Sequence, residues 1–293
     1  MQNRKGILLA GGSGTRLHPV TKIISKQILP LYDKPMIYYS MSVLMLAGIK
    51  DILIISTPRD IVFFKNLFQN GRYMGINLSY EIQEQPKGIA QALIIASNFI
   101  GKSSIALMLG DNFFYGNNLE EILIKTSKKK TSTIFAYEVN DPTRYGIVST
   151  NKKGIPTKIS EKPKKPESNF AVTGLYFYEN QAVDIAQSLK PSSRNELEIT
   201  DVNKYFLNKK KLNVQYLSRG FAWLDTGTFE SFFEASQLIR TIENRQGIKI
   251  GCLEEIAFNK GWIKSNDLKK IIKDLNKSKY GEYLKKVLNN RWK

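Results

Sequence analysis

A glycine-rich turn near the start of the chain has the residue types that bind phosphate. An apolar run at positions 7–10 predicts a buried strand. The glycines that follow allow positive φ and close approach of a ligand, and they are Gly11, Gly12 and Gly14. Backbone N–H groups of such a turn bind anions, and Arg16 and Lys26 would add positive charge beside them. We therefore predict that the turn binds a triphosphate.

Two well-known phosphate motifs do not fit this turn. A dinucleotide fingerprint that begins at Gly12 requires glycine or alanine where Leu17 stands. A P-loop that begins at Gly11 requires Gly-Lys-Ser/Thr at positions 16–18, which are Arg, Leu and His. A strand-to-helix turn that needs its glycines only for geometry remains an alternative. Acidic motifs further along the chain decide between these interpretations.

The chain has one cysteine and one histidine, which excludes several kinds of site. Cys252 alone cannot form an internal disulfide or a cysteine-based zinc site. His18 follows the glycine turn without the context of a nucleophile elbow, which argues against a Ser-His-Asp triad. A metal would therefore be held by oxygen ligands, which favours magnesium over zinc.

Asp111 and Asp225 are the candidate metal ligands. Each ends an apolar, strand-like run and enters a polar turn. Two carboxylates would hold Mg²⁺, with water and phosphate oxygens as its other ligands. Taken singly, each could equally be a strand-end or helix-capping residue. The Asp-Thr-Gly sequence at 225–227 also marks aspartic proteases, but those need a symmetric all-β pair of such motifs, and this chain has one.

The 293 residues carry a formal net charge of +18, which raises the question of nucleic-acid binding. The lysines are scattered over surface-type segments, without the interleaved aromatics or the motifs of nucleic-acid-binding domains. We expect solvated lysine-rich faces and no specific nucleic-acid partner. The apolar runs are too short to span a bilayer, and no signal-peptide segment opens the chain, so we expect a cytoplasmic protein without membrane association.

Strand-like and helical patterns alternate over residues 7–110, including a helix predicted at 88–99. This alternation predicts an α/β fold with a mostly parallel, Rossmann-like central sheet and helices on both faces. Ligands of such sheets bind beyond the carboxyl ends of the strands, where the glycine turn, Gln83 and Asp111 would meet. From Thr131 onward, aromatic and β-branched runs predict a β-rich second part, followed by a long helix and an amphipathic helical tail.

Motifs spread over nearly the whole chain resemble those of the sugar-phosphate nucleotidylyltransferases. They lie at 6–17, 26–30, 32–36, 109–112, 144–146, 161–163, 173–176, 196–201, 223–227 and 243–247. The resemblance implies that a sugar 1-phosphate oxygen attacks the α-phosphorus of a nucleoside triphosphate and that pyrophosphate leaves. Within the family, it implies dTTP and glucose 1-phosphate as substrates, dTDP-glucose as product and Mg²⁺ as cofactor.

The resemblance also implies roles for individual residues. The catalytic residues would be Arg16, Lys26, Asp111 and Lys162. The nucleotide would be held by Leu9, Gly11, Gly12, Gln83, Pro86, Gly88 and Asp111. The sugar phosphate would be held by Asn112, Tyr145, Gly146, Glu161, Lys162 and Val172. Asp111 and Asp225 would hold the metal, whereas Tyr145, Tyr176 and Trp223 could equally be core aromatics.

The implied organisation is a transferase core at 1–247 and a helical appendage at 248–293. Within the core, residues 1–130 would bind the nucleotide, 131–228 would bind the sugar and 229–246 would form a helix. The family further implies a homotetramer, feedback at a second nucleotide site, and a place in deoxysugar synthesis such as that of rhamnose.

Two departures from the family pattern are visible. Ser40 stands where proline is expected, and the loop at 84–87 varies. Because this loop would border the base, the preference for thymine over uracil stays open. A uridylyl- or cytidylyltransferase and a non-catalytic nucleotide-binding regulator remain alternatives.

Overall fold

The computed structural model describes residues 4–12 and 14–289. The strands are β1 Arg4–Ala10, β2 Pro30–Leu31, β3 Lys34–Pro35, β4 Asp51–Ser56, β5 Asn77–Ile82, β6 Ser104–Leu109, β7 Asn112–Tyr115, β8 Ser132–Glu138, β9 Gly146–Thr150, β10 Pro156–Glu161, β11 Phe170–Tyr178, β12 Leu212–Leu217 and β13 Ala222–Asp225. The helices are α1 Ile37–Leu46, α2 Ile61–Phe68, α3 Gln91–Ile95, α4 Ser97–Ile100, α5 Leu119–Ser127, α6 Ala182–Ser188, α7 Ile199–Asn208, α8 Phe229–Gln246, α9 Leu253–Asn259, α10 Ser265–Asp274 and α11 Lys279–Asn289.

A nine-stranded sheet forms the centre of the part of the chain that the structure describes. Its main path has the order β10-β9-β11-β6-β1-β4-β5, and β8 and β12 extend it from β11. Seven of these strands run in one direction, and only β10 and β11 run in the other. The predicted mostly parallel sheet is thereby confirmed.

Apolar side chains on both faces bury the central strands. In β1, Leu8 belongs to one hydrophobic core, whereas Ile7 and Leu9 belong to a second core, because successive side chains of a strand point to opposite faces. The first core is covered by α1, α2, α5 and the C-terminal helices, and the second by α3, α6 and α7. Helices therefore cover both faces, as a parallel sheet requires.

The strands predicted after Thr131 are present, and five of them, β8 to β12, belong to the central sheet. β11 pairs with β6, β8 pairs with β11, and β12 lies parallel to β8. The hairpin of β9 and β10 borders β11 at the edge of the sheet. The sugar-binding part predicted from the sequence thus shares its sheet with the predicted nucleotide-binding part.

The structure differs from the sequence prediction in two places near the sheet edge. The helix predicted at 88–99 consists of the short helices α3 and α4, and residues 88–90 are not helical. The pattern indicated no element between 112 and 127, where the structure has β7 and α5. β7 pairs antiparallel with β13, so that Asp225 lies opposite Asn112.

The C-terminal helices α9, α10 and α11 pack against the first core. Leu253, Leu268 and Leu284 are fully buried there, and the Lys260 ammonium lies 2.6 Å from a carboxylate oxygen of Glu120 at the start of α5. The division into a core and an appendage at 247/248 stays a prediction. Among residues 4–12 and 14–289, no helix combines the length and the apolar character needed to cross a membrane.

Candidate active site

A cavity of about 370 Å³ opens at the carboxyl ends of β1, β5 and β6. The glycine turn follows β1, Gln83 follows β5 and Asp111 follows β6, so the three predicted contacts do meet at one edge. All predicted site residues except Lys26 line this cavity, namely Leu9, Gly11, Gly12, Arg16, Gln83, Pro86, Gly88, Asp111, Asn112, Tyr145, Gly146, Glu161, Lys162, Val172 and Asp225. Lys26 reaches the site through an ion pair with Asp111.

The glycine turn has the backbone conformation that its sequence predicts. Gly12 has φ +111° and Gly14 has φ +60°, both in the region that favours glycine. The Thr21 hydroxyl donates to the Gly14 carbonyl at 2.7 Å and closes the turn. Arg16 lies in the 3₁₀ helix Thr15–Leu17 that follows, with an exposed side chain.

Asp111 and Asp225 come together because β7 and β13 pair immediately beside them. The Thr226 backbone N–H and hydroxyl both donate to the Asp111 carbonyl, at 3.1 Å and 2.7 Å. Asp225 is the last residue of β13. A Cβ at Gly227 would lie 3.2 Å from both an Asp225 carboxylate oxygen and the terminal nitrogens of Arg16, so glycine leaves room for these groups.

The two carboxylates differ in their electrostatic surroundings. Burial would raise the pKa of Asp111, but the Lys26 ammonium and hydrogen bonds from Lys26 and Asn112 hold that pKa below its ordinary value. Burial and the nearby negative charge of Asp111 raise the pKa of Asp225, in spite of opposing charges on Lys26 and Arg16. The Asp111 carboxylate thus forms an ion pair with Lys26, whereas the Asp225 carboxylate forms no ion pair with the described residues.

Asn112 connects Asp111 to the sugar-side part of the cavity. Its amide oxygen accepts from the indole N–H of Trp223 at 2.7 Å and from the backbone N–H of Gly174 at 2.9 Å. Its amide nitrogen donates to Asp111 Oδ1 at 3.0 Å. Because the oxygen already has two donors, a sugar hydroxyl would meet the remaining amide N–H. Gly174 must be glycine, since a Cβ there would lie 2.5 Å from the amide oxygen.

The side of the cavity predicted to hold the base is formed by Gln83 and the loop after it. Gln83 is buried, and its amide oxygen lies 2.2 Å from where a Cβ of residue 11 would be, so only glycine fits at Gly11. Gly88 has φ +100°, and a Cβ there would lie 2.4 Å from the Leu197 carbonyl oxygen. The loop therefore lies directly against the segment around Leu197.

The part of the cavity predicted to hold the sugar contains Glu161 at the end of β10. Its carboxylate accepts from the Thr200 hydroxyl at 2.6 Å and from the Arg194 guanidinium at 3.2 Å. Lys162 follows with φ +40° and an exposed side chain, and its backbone N–H donates to the Tyr145 carbonyl at 3.0 Å. The structure thus brings both predicted sugar-side charges to the cavity.

Tyr145, Tyr176 and Trp223 both line the cavity and pack in or against the hydrophobic cores, the two roles that the sequence left open. Tyr176 and Trp223 are buried and belong to the hydrophobic cores, yet both also line the cavity. Tyr145 packs edge-on against Trp223 with ring centroids 5.2 Å apart. Tyr145 and Trp223 thus border the cavity from the first core, and Tyr176 borders it from the second.

Sequence reasoning assigned no role to several charged cavity residues, namely Arg144, Arg194, Glu196 and Glu198. Arg194 is the most connected of them, because its guanidinium contacts Glu161, Glu196 and Glu198 at 3.2, 3.4 and 2.7 Å. Residues 196–201 matched a family motif, which was the available signal, whereas nothing in the local pattern singled out Arg194.

Comparisons with known proteins identify the family of the chain. Residues 5–242 match the family model described as nucleotidyl transferase. The chain is 51% identical to the glucose-1-phosphate thymidylyltransferase of Neisseria meningitidis serogroup A, over 97% of this chain and 99% of that protein. It is 52% identical to the protein of the same name from Xanthomonas campestris strain B100, over 97% of each chain.

Solved structures give the same relationship. A crystal structure described as a putative glucose-1-phosphate thymidylyltransferase from Bacillus anthracis in complex with a sucrose aligns with a TM-score of 0.75 and 36% identity, over 81% of this chain and 95% of that one. A UDP-glucose pyrophosphorylase complexed with UDP-glucose aligns with a TM-score of 0.72 and 26% identity, over 81% of this chain and 98% of that one. The chain therefore belongs to the nucleotidyl transferase family.

Proposed function

We propose that the protein transfers a thymidylyl group from dTTP to α-D-glucose 1-phosphate and releases pyrophosphate. The observation that carries this proposal is one cavity containing a glycine turn, two adjacent carboxylates and a separate carboxylate–lysine pair. Relatives half identical to this chain over nearly its full length are named glucose-1-phosphate thymidylyltransferases, which supports the choice of substrates.

The donor set fits Mg²⁺. Among the described residues, no group of three or more His, Cys, Asp or Glu side chains could hold a metal. A metal in this cavity would therefore have two carboxylate ligands from the protein, Asp111 and Asp225. Mg²⁺ accepts few protein ligands and takes water and phosphate oxygens for the rest. The raised pKa of Asp225 beside Asp111 also indicates uncompensated negative charge that a cation would neutralise. When bound, Mg²⁺ would supply charge neutralisation at the reacting phosphates.

On the nucleotide side, we assign the triphosphate to the glycine turn. Backbone N–H groups of Gly11 and Gly12 would bind phosphate oxygens, with the Arg16 guanidinium beside them. The Lys26 ammonium has three donors and contacts one acceptor, Asp111, among the described residues. Its other donors are therefore available to the triphosphate and to the departing pyrophosphate.

On the acceptor side, the Lys162 ammonium would bind the phosphate of glucose 1-phosphate, and the Glu161 carboxylate would accept hydrogen bonds from sugar hydroxyls. A phosphate oxygen of the sugar phosphate forms a bond to the α-phosphorus, and the bond from that phosphorus to the β-phosphate oxygen breaks. Pyrophosphate leaves with the electron pair. The protein supplies positioning and positive charge rather than covalent catalysis.

The test is a matrix of nucleoside triphosphates and sugar 1-phosphates with Mg²⁺, followed by pyrophosphate release. We expect dTTP with glucose 1-phosphate to give the highest kcat/KM. A uridylyl- or cytidylyltransferase would instead favour UTP or CTP. A non-catalytic regulator would bind nucleotide in calorimetry without releasing pyrophosphate from any pair.

We further propose a homotetramer with feedback at a second nucleotide site. A second cavity, of about 1110 Å³, is lined by parts of α1, α5 and α9 and by residues 248–252, and it is large enough for a nucleotide. Sedimentation of the full chain tests the assembly. Product inhibition that is not competitive with dTTP, and that a bulky substitution in this cavity removes, would support the second site.

We also propose a cytoplasmic location and a place at the start of a deoxysugar pathway such as rhamnose synthesis. The support is chemical, because dTTP and glucose 1-phosphate are intracellular metabolites and an activated glucose is the natural precursor of a deoxysugar. Deletion of the gene in its host, followed by measurement of surface rhamnose, tests this assignment.

A further inference from the structure

The orientation of the Gln83 amide is determined by a neighbour outside the cavity. Gln83 Nε2 donates to Gln91 Oε1 at 2.8 Å. The same Gln91 oxygen accepts from the backbone N–H of Lys87 at 2.9 Å. Gln91 is the first residue of α3 and does not line the cavity. A bound base would meet Gln83 but not Gln91.

The Lys87 backbone fixes the identity of each atom in this chain of hydrogen bonds. A backbone N–H can only donate, so the Gln91 atom that it meets must be the amide oxygen. That oxygen can only accept, so the Gln83 atom that it meets must be the amide nitrogen. The Gln83 oxygen is then the end of the amide that remains for the cavity, and it accepts no hydrogen bond from the described residues.

The Lys87 donor is itself held by backbone hydrogen bonds. Leu197 N–H donates to the Lys87 carbonyl at 2.7 Å, and Ala90 N–H donates to the Leu197 carbonyl at 3.2 Å. The space around the Gln83 oxygen is equally restricted, because that oxygen lies directly over Gly11. A rotation of the amide would therefore break the hydrogen bond from Gln83 Nε2 to Gln91 Oε1.

We propose that Gln91 is a positioning residue that makes Gln83 present a hydrogen-bond acceptor to the base, and that it thereby selects thymine or uracil over cytosine. This inference rests on the proposed function. The N3 atom of thymine and of uracil carries a hydrogen and donates, whereas N3 of cytosine is an acceptor. An oxygen fixed at this point pairs with the first two bases and repels the third, leaving buried polar groups unpaired.

The test compares kcat/KM for dTTP, dUTP and dCTP in the wild type and in Gln91→Met, which has similar volume and lacks the acceptor. We expect the dTTP:dCTP ratio to fall by about tenfold or more, since a freed amide can turn its nitrogen toward cytosine. The dTTP:dUTP ratio should not change, because these bases present the same edge. Gln91→Glu, which keeps an acceptor, should retain the wild-type dTTP:dCTP ratio.

Gln85→Met is the matched control, because Gln85 is exposed in the same loop and does not line the cavity. An equal loss with all three triphosphates in Gln91→Met would show a merely structural role and would overturn the inference. A loss of discrimination in Gln91→Glu would do the same, even if Gln91→Met failed to fold. Wild-type enzyme that used dCTP as well as dTTP would refute the inference alone, whereas no pyrophosphate from any triphosphate would refute the proposed function.

Discussion

Two lysines that form ion pairs, Lys26 and Lys34, lie eight residues apart in the chain and have very different surroundings. The Lys34 ammonium contacts four acceptors, which are Asp33 Oδ1 at 2.6 Å, the Tyr39 hydroxyl at 3.2 Å, Glu243 Oε1 at 3.2 Å and the Ile250 carbonyl at 2.9 Å. The Lys26 ammonium contacts one acceptor among the described residues, Asp111 Oδ2. Lys34 is 4% exposed, whereas the Lys26 side chain is 12% exposed beside the cavity.

The difference separates a structural ion-pair network from an ion pair with unused hydrogen-bond donors beside the cavity. An ammonium has three donors, so the acceptors around Lys34 use all of them, while Lys26 retains two. Lys249 completes the Lys34 network by bridging Asp33 and Glu243. The complete network joins β3, the end of α8 and the chain before α9. The incomplete pair faces the proposed triphosphate.

Substitutions of Asp111, the partner of Lys26, and of Glu243, a partner of Lys34, should give the largest contrast between loss of turnover and loss of stability. Asp111→Asn should lower kcat by about a thousandfold, because the metal would lose a charged ligand, with little change in the free energy of unfolding. Glu243→Gln should leave the cavity chemistry intact but lower that free energy by about 3 kcal/mol, since Lys34 and Lys249 would then share Asp33 as their one carboxylate partner among the described residues. Pyrophosphate release and urea unfolding measure the two effects. Near-normal turnover in Asp111→Asn would refute its metal role.

The lysines should show the same contrast. Lys26→Met should lower kcat by about a hundredfold, as expected for loss of one charged donor at the phosphates, and should change the urea midpoint only slightly. Lys34→Met should lower the free energy of unfolding by about 3 to 5 kcal/mol, because the buried Glu243 carboxylate would keep only Lys249 as a cationic partner among the described residues. If Lys26→Met lowered the free energy of unfolding as much as Lys34→Met, the Lys26–Asp111 pair would also be structural and the comparison would fail.

Lys162 extends the comparison to an exposed lysine at the cavity. Lys162→Ala should raise KM for glucose 1-phosphate by about tenfold to a hundredfold, the value of a hydrogen bond to a charged group, while KM for dTTP stays within about twofold. Lys164→Ala is the matched control, because Lys164 is also exposed but does not line the cavity. Equal losses for both substrates would argue against a specific role of Lys162 at the sugar phosphate.

The smallest effect concerns a buried carboxylate whose direct partners are uncharged. Glu254 is 3% exposed and accepts from the Tyr280 hydroxyl at 2.5 Å, and burial raises its pKa above the ordinary value of 4.5. The native state therefore holds this proton more tightly than the unfolded state, so the free energy of unfolding should fall as the pH rises from 4.5 through the raised pKa.

Glu254→Gln removes this titration and should flatten that part of the profile. Urea unfolding of wild type and Glu254→Gln at pH 5 and pH 8 measures it, and the variant should gain stability relative to wild type at the higher pH. The reverse sign would mean that Glu254 resembles Glu243, with its charge compensated by a cation.

The sequence predicted the features that depend on short-range patterns. Apolar runs indicated β1 and β6, and their shared direction brought the glycine turn and Asp111 to one edge. The pairing of β7 with β13 was not predictable, because β7 is four residues long and its partner lies more than a hundred residues away. The position of Arg194 at the cavity was likewise not predictable, because its ion pair with Glu161 joins residues that are distant in the sequence. The helix α3 begins at Gln91 rather than at the predicted 88 because Gly88 adopts positive φ against Leu197, which a helical pattern does not reveal.

The hydrogen bonds that join the loop at 84–90 to Leu197 use only backbone atoms at both ends. The exposed side chains at 84–87 take no part in these bonds, whereas Gly88 is needed for its backbone conformation and Ala90 is buried in the second core. The departure of residues 84–87 from the family pattern then changes the exposed side chains of the loop and leaves its backbone hydrogen bonds unchanged. The chemistry that this loop presents at the cavity can therefore differ while the backbone bonds to Leu197 hold Lys87 and Ala90 in place.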